Sequence, residues 1–197
     1  MDLLIEAVES ITLACTLAVL VPGLGLVLGA GDRSPRVATG YILGLAVTAW
    51  ARFGGWIPAP DSFAADLALA LLLAGSAAAI LWRRVDARLI APAAAVFGAS
   101  ISMYWRPCVG VAFGDVLNEI PDSPWSTLPS MVVFVAVLLL PIAVIAAAPV
   151  AFEPLVAVRR HRGVIGVGAA TCALVALVVA VGWFDDLMGE LFRLSSR

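Results

Sequence analysis

The chain has 197 residues, of which 62% are hydrophobic and only 13% are charged, and its mean hydropathy is +1.05. Soluble domains carry about a quarter charged residues, so this composition excludes a soluble globular protein and predicts an integral membrane protein. The formal net charge of −2 gives no indication of a nucleic-acid partner. At roughly 20 residues per span, the chain has room for at most about six or seven spans in a single transmembrane domain, residues 1–197.

Six apolar segments succeed one another along the chain, and none shows the alternation of a β-barrel strand, so each is predicted to be a transmembrane helix. They cover about residues 3–30, 37–57, 67–82, 93–120, 128–150 and 164–184. Asp2 and Glu6 stand where a signal peptide would be basic, so the first segment is expected to be retained. Residues 185–197 are predicted to form either a short amphipathic interfacial helix or the frayed end of the last span.

The loops between these segments alternate in charge. Eight of the 12 arginines lie in loops one, three and five, whereas loops two and four carry mainly aspartates. Positively charged loops stay in the cytoplasm. The odd loops are therefore predicted to be cytoplasmic, and six spans then place both termini outside.

Segments one and four are the longest, and each contains a proline that is expected to break the helix. From residue 88 to residue 119 a continuous helix would be about 46 Å long, against a hydrocarbon core of roughly 30 Å, so segment four is expected to be tilted, kinked or partly unwound. Pro107 removes an N–H within segment four, and Pro22-Gly23 does the same in segment one. Corresponding breaks in two three-helix halves, about residues 1–82 and 83–184, predict an inverted repeat with the functional site at the breaks.

The stretch Tyr104–Gly110 combines a cation, a proline and a thiol inside an apolar segment. Lipid tolerates such a combination only where protein or water lines it. The positive charge of Arg106 would favour the thiolate form of Cys108, and Pro107 opens the backbone between them. The alternative for Arg106 is that its side chain extends to the outer membrane interface.

Other polar residues and glycines near this stretch have two readings each. Asp115 lies on roughly the same helix face as Cys108, where it would pair with Arg106 or accept a proton. Gly110 and Gly114 would serve helix packing or motion. Cys172 has only small and apolar neighbours and is interpreted as structural. Neither a metal site nor a bound cofactor is predicted.

Two runs resemble the signatures of the CcdA family of cytochrome c biogenesis proteins, which is similar to the transmembrane domain of DsbD. The run Tyr104-Trp105-Arg106-Pro107-Cys108-Val109-Gly110-Val111 resembles G-W-x-P-C-[IV]-G-P, with Val111 in place of the second proline. The run Ala14-Cys15-Thr16-Leu17-Ala18, with Pro22-Gly23 after it, resembles P-C-x-x-P and a later P-G, with alanines in place of both flanking prolines. The resemblance covers the whole chain in topology and two short motifs in residues.

The resemblance implies a thiol–disulfide oxidoreductase in the inner or plasma membrane of a bacterium, with Cys15 and Cys108 as a redox pair. Reducing equivalents would pass from cytoplasmic thioredoxin to an extracytoplasmic thioredoxin-like protein for cytochrome c maturation, without a cofactor. Two other functions remain open from the residues. One is a LysE-type exporter of small solutes, and the other is a catalytically silent subunit of a larger membrane complex.

Overall fold

The structure of the chain is a computed structural model that describes residues 4–5, 7–8, 11, 14–82, 86–105, 111–151 and 162–195. Every regular element in this described part is helical. The helices are α1 (Ala14–Ala30), α2 (Ser34–Phe53), α3 (Phe63–Leu81), α4 (Ala87–Ser102), α5 (Val111–Glu119), α6 (Pro124–Leu138), α7 (Leu140–Ala151), α8 (Arg162–Ala180) and α9 (Phe184–Ser195), with a 3₁₀ turn at Gly31–Arg33.

Three helical segments in the described part are long and apolar enough to cross a membrane: Thr16–Phe53, Phe63–Leu81 and Arg162–Ala180. The number of such segments rises to four if α6 and α7, which meet at an angle of 61°, form one broken span. Helix α4 is apolar but has only 16 residues. The structure thus has the long apolar helices of the predicted membrane architecture, whereas six spans in two inverted halves are not confirmed.

The first of these segments reverses direction at Gly31, so that α2 packs antiparallel to α1. Gly31 has a φ of +59°, which glycine adopts without a Cβ clash. The Ser34 hydroxyl, at the start of α2, donates to the carbonyl of Val27 at 2.8 Å. Deeper in the pair, the Tyr41 hydroxyl donates to the carbonyl of Val19 at 2.5 Å. The segment therefore has two legs of 17 and 20 residues, about 26 and 30 Å long at 1.5 Å per residue.

Glycines bring α2 and α4 into backbone contact. Gly40 and Gly44, one turn apart on α2, lie so close to α4 that a Cβ at either position would overlap a backbone carbonyl. The carbonyl facing Gly44 is that of Ala95, and Gly98 of α4 stands in the same way against the backbone of α2. Small residues at this spacing are typical of helix pairs in membranes, where van der Waals contact rather than water exclusion drives association.

A second close pair is formed by α1 and α8. A Cβ at Gly168 of α8 would overlap the carbonyl of Gly25 and would stand 2.6 Å from the nitrogen of Gly29. Helix α3 packs against both pairs, since it contacts α4 and α8. The first and last long helices are thereby also brought into backbone contact.

The described loops lie at two ends of the bundle. At one end, Arg33 donates to the carbonyl of Trp82 at 3.4 Å, which joins the α1–α2 turn to the end of α3. At the other, the indole nitrogen of Trp50 donates to the carbonyl of Pro124 at 3.0 Å, and its ring lies 5.6 Å from that of Trp125. We call these the arginine end and the tryptophan end. Their separation agrees with the predicted alternation of loops between two sides.

Helices α3 and α8 turn large apolar side chains outward. Leu71 of α3 is 66% exposed and Leu174 of α8 is 61% exposed, in the middle of their helices. Outward apolar side chains of this kind need a covering of lipid or protein. Both helices are thus compatible with a membrane environment.

Residues 184–195 form the helix α9, which contacts α1. Its sequence separates acidic from apolar residues around the helix, as in amphipathic surface helices. An ion pair of 2.7 Å between Arg193 and Glu190 lies on its exposed side. Its placement at the membrane interface stays a prediction.

Candidate functional site

The structure places one of the two predicted redox cysteines only in part. Cys15 belongs to α1, one turn before Val19, and its backbone is described while its side chain is not. The residues predicted for the site in the motif around the second cysteine lie outside the described residues: Arg106, Pro107, Cys108 and Gly110. The site is therefore defined by the described residues that surround it.

The predicted helix break at Pro22-Gly23 is wrong. Helix α1 runs without interruption from Ala14 to Ala30, with Pro22 inside it. Membrane helices tolerate an internal proline where neighbouring groups satisfy the freed backbone. Gly23 serves close packing instead: a Cβ there would stand 2.7 Å from the ring of Tyr41 and would overlap the side chain of Ile142.

A break that the sequence analysis missed lies in segment five, which was predicted as one helix over 128–150. Helix α6 ends at Leu138, and α7 departs at 61°. Pro141 explains the bend, because its ring has no N–H and crowds the carbonyl of Val137, one turn earlier. The next residue, Ile142, packs at Gly23 of α1. Segment five therefore bends where it meets α1 and α2, inside the bundle.

Segment four does not continue as one tilted helix, and the structure shows where its extra length goes. Helix α4 ends at Ser102 beside Arg52, which lies near the end of α2. Ile120, directly after helix α5, packs against Gly54, also at the end of α2. The end of α4 and the residue after α5 thus both lie at the tryptophan end of the bundle. The crossing is complete by Ser102, and we call the described residues that follow it, 103–105 and 111–119, the excursion.

The excursion returns into the bundle before it ends. Phe113 of α5 is fully buried and stacks on Phe134 of α6, with ring centroids 3.7 Å apart and planes 11° from parallel. Phe134 lies ten residues into α6, about 15 Å from Pro124 at the tryptophan end. Helix α5 therefore starts deep in the bundle and runs towards the tryptophan end. Residues 106–110, with Cys108, stand between the end of α4 and this start in sequence and lie outside the described residues.

Two charged residues hold the turn that leads into this connection. Arg52 of α2 donates from one nitrogen to the carbonyls of Ser102 and Met103, at 2.8 and 2.7 Å. A cation at the carboxyl end of a helix satisfies free carbonyls and complements the helix dipole. On the other side, the hydroxyl of Tyr104 donates to Asp66 of α3 at 2.6 Å. The last turn before residue 106 is thus fixed to α2 and to α3.

The same turn carries two buried polar groups without a hydrogen-bond partner among the described residues. Ser102 and Trp105 are each 1% exposed. In the described part of the chain, neither the Ser102 hydroxyl nor the Trp105 indole nitrogen has a donor or acceptor within reach. A buried polar group without a partner costs about 1–3 kcal/mol, so such groups in a native structure call for an explanation.

The remaining candidates lie apart from this turn. Asp115 is exposed on α5, on the face opposite to that of the buried Phe113. Its predicted partner, Arg106, lies outside the described residues. Cys172 is free and only 2% exposed on α8. Among the described residues, no three metal-ligating side chains come close enough together to hold a metal ion.

Arg52, Asp66 and Ser102 are the site residues that sequence reasoning missed. Arg52 carried one signal, since it is the only arginine near the aspartate-rich loop between α2 and α3. Asp66 stands in the first turn of α3, where a helix-capping role would be the ordinary reading. Their common role appears only when α2, α3 and α4 are placed side by side.

No protein-family model, curated protein or solved structure matches this chain.

Proposed function

We propose that this chain is a membrane thiol–disulfide oxidoreductase in which Cys15 and Cys108 form a reversible disulfide. The observation that supports it is the excursion at the tryptophan end. Helix α4 ends at Ser102, just before the Trp-Arg-Pro-Cys motif, and the described chain is helical again from Val111. In a span that served only to cross the membrane, ending the helix there would be costly.

Depth along the helices is consistent with this pairing. Tyr41 is about 18 Å from the tryptophan end of α2, and its hydroxyl binds Val19 of α1. Cys15 is one turn, about 6 Å, closer to that end, and thus lies about 12 Å inside it. The deep start of α5, marked by Phe113, lies about 15 Å inside the same end. The backbone of Cys15 and the start of α5 therefore lie at similar depths in the bundle.

The proposed reaction moves two electrons and two protons by disulfide exchange. A thiolate of a reduced thioredoxin attacks the Cys15–Cys108 disulfide, which breaks that bond, forms a mixed disulfide and releases one cysteine of the pair as a thiolate. The second thioredoxin thiol, as its thiolate, attacks the mixed disulfide, and the thioredoxin leaves oxidised. The reduced pair then attacks the disulfide of an extracytoplasmic thioredoxin-like protein in the same two steps, so that protein is reduced and the pair is oxidised again.

The proposal is tested by thiol trapping on the full chain in detergent. The wild type is compared with Cys15→Ser, Cys108→Ser and, as matched control, Cys172→Ser. We expect a disulfide that reductant removes in the wild type and in Cys172→Ser and that is absent from the other two. In each of those two, the remaining cysteine should instead attack the active-site disulfide of an added oxidised thioredoxin and form a mixed disulfide, with the displaced thioredoxin thiol trapped by alkylation.

Free and unreactive cysteines under oxidant would refute the relay. A variant with both Cys15 and Cys108 replaced that still transports a small solute across vesicles would point to the exporter. A variant without transport that remains bound to other membrane subunits would point to the accessory role.

A further inference from the structure

A groove of about 390 Å³ lies between α2 and α4 and is open to the surroundings of the bundle. It accompanies the backbone contact of these two helices, because the small residues that allow the contact leave a depression between larger exposed side chains. In a membrane an apolar chain fills such a depression, since an empty one forfeits the van der Waals contacts of its walls. The walls are mostly apolar and include Leu43, Gly44, Val47, Ala95, Val96 and Ala99.

Each of the two helices carries one arginine on the side that lines the groove. Arg36 lies seven residues before Leu43 on α2, and Arg88 lies seven residues before Ala95 on α4. Residues seven apart lie on the same side of an α-helix. Both arginines are exposed. They therefore belong to the groove side of their helices, in the first turn of each.

The two arginines also lie at nearly the same level of the bundle. Gly40 of α2 faces Ala91 of α4, and the contact that Gly44 makes one turn later is one turn later on α4 as well. The two helices therefore run in the same direction and in step. Arg36 precedes Gly40 by four residues, and Arg88 precedes Ala91 by three. Both arginines thus stand at the arginine end of the groove, one on either side.

The charges of this pair are not neutralised within the described part of the chain. Neither guanidinium group forms an ion pair with a described residue. Asp86, two residues before Arg88, caps α4 by accepting from the backbone nitrogen of Arg88 at 3.0 Å. Arginines at the mouth of a groove between membrane helices attract lipid phosphate, which a guanidinium group binds with two parallel hydrogen bonds.

We propose that the groove between α2 and α4 binds one anionic phospholipid, with its phosphate between Arg36 and Arg88 and an acyl chain along the groove. The dimensions fit this occupant. Leu43 lies about 10 Å from Arg36 along α2, and Ala99 about 16 Å from Arg88 along α4. One leaflet of a hydrocarbon core of roughly 30 Å is about 15 Å deep. An acyl chain that starts at the arginines therefore covers the groove, and this site is independent of the cysteine pair.

A second copy of the chain fits the same groove less well. Two copies in one membrane have the same orientation, and a symmetric contact through this groove would place the same surface of each copy against the other. Arg36 and Arg88 of one copy would then approach those of its partner. Like charges brought together at an interface are unfavourable, whereas a phosphate neutralises them.

The test measures lipid binding to the full chain in detergent by native mass spectrometry. Phosphatidylglycerol and phosphatidylcholine with identical acyl chains are each titrated, so that only the headgroup differs. The variants are Arg36→Gln, Arg88→Gln, both together, and Val96→Phe, which places a ring in the groove. Arg162→Gln and Val167→Phe are the matched controls, since both residues are exposed on α8, which packs against α1 and α3.

We expect the wild type to retain one phosphatidylglycerol more tightly than phosphatidylcholine. Each single arginine variant should weaken phosphatidylglycerol binding about fivefold and the double variant about 25-fold, which is the contribution expected of a cation near a membrane surface. Val96→Phe should lose the tightly bound lipid although both arginines remain. The two α8 variants should bind as the wild type does.

Equal retention of the two lipids by the wild type would overturn the inference. So would an equal loss in Arg162→Gln, because the attraction would then come from the arginine end as a whole and not from this groove. A wild type that is dimeric in detergent and becomes monomeric in Val96→Phe would assign the groove to a second copy instead. Thermal unfolding without lipid shows whether each variant is folded; if Val96→Phe is not, the arginine variants and Arg162→Gln decide the question.

Discussion

The hydroxyl of Tyr41 binds the carbonyl of Val19, 22 residues earlier, at 2.5 Å and with no exposure of the tyrosine to the surroundings. This bond fixes α2 against α1 inside the bundle. We expect Tyr41→Phe to lower the free energy of unfolding by about 1 kcal/mol, because a buried hydrogen bond is lost while the ring remains.

Thermal unfolding in detergent, monitored by circular dichroism, measures this loss. The control is Thr39→Ala on the same helix, which removes an exposed hydroxyl that binds the carbonyl of Pro35 at 3.0 Å. A loss from Thr39→Ala as large as that from Tyr41→Phe would contradict the importance given to the α1–α2 bond.

Gly44 is a position where the structure leaves no space for a side chain. In Gly44→Ala the new methyl group would overlap the carbonyl of Ala95, so α2 and α4 must separate. We expect a loss of about 1–3 kcal/mol or failure to fold, as for other overpacked interiors. Size-exclusion chromatography and thermal unfolding in detergent measure it.

Gly75 of α3 is the matched control, because nothing lies within 4 Å of a Cβ built there. Gly75→Ala should be neutral or stabilising by up to about 1 kcal/mol, which is the helix propensity difference. Equal behaviour of the two alanine variants would show that α2 and α4 are not in backbone contact.

The bond between Tyr104 and Asp66 is expected to couple α4 to α3 energetically. In a double-mutant cycle of Tyr104→Phe and Asp66→Ala, the coupling should be about 1–3 kcal/mol, since the acceptor is a carboxylate. The same cycle with Asp61→Ala, an exposed aspartate in the preceding loop, should give a coupling near zero. Additive losses in the first cycle would mean that the bond contributes nothing to stability.

The orientation of the chain in the membrane is testable with one cysteine in each of two loops. Ala59 lies before α3 and Ala87 opens α4; both are exposed and small. In a chain without native cysteines, Ala59→Cys should react with an impermeant maleimide from outside the cell, and Ala87→Cys only after lysis. The reverse pattern would show that the arginine end faces outward.

The sequence predicted the helices well where a segment has to satisfy all its backbone hydrogen bonds within itself. Segments two, three and six, at about 37–57, 67–82 and 164–184, correspond to α2, α3 and α8 within a few residues. Each is a continuous apolar run without an interior proline, so the requirement to satisfy the backbone in lipid leaves a helix as the outcome.

The prolines were harder to interpret, because their effect depends on what surrounds them. Pro22 was expected to break α1 and does not, whereas Pro141 was not considered and marks a 61° bend. Which proline bends a helix is decided by whether neighbouring helices fill the space that the bend opens. That information lies in the packing of α7 against Gly23 and cannot be read from the local sequence.

The extra length of segment four was recognised, and a tilt, a kink or a partial unwinding was expected to accommodate it. That α4 ends at Ser102 and that the chain is again at the tryptophan end by Ile120 was not predicted. The turn is set by Arg52, which is 50 residues away from Ser102 in sequence. A contact between residues so far apart in sequence has no local pattern from which it could be predicted. Cys108 itself lies outside the described residues, so its pairing with Cys15 stays a prediction.

The glycine contacts of α2 with α4 and of α1 with α8 have a mechanical consequence. Helices whose backbones touch behave as one stiff body, so each pair would move as a unit. The Tyr41–Val19 bond joins the two bodies at a point away from both ends of the bundle. Helix α3 also contacts both pairs, so any movement of one pair against the other would have to displace α3 and break the Tyr41–Val19 bond.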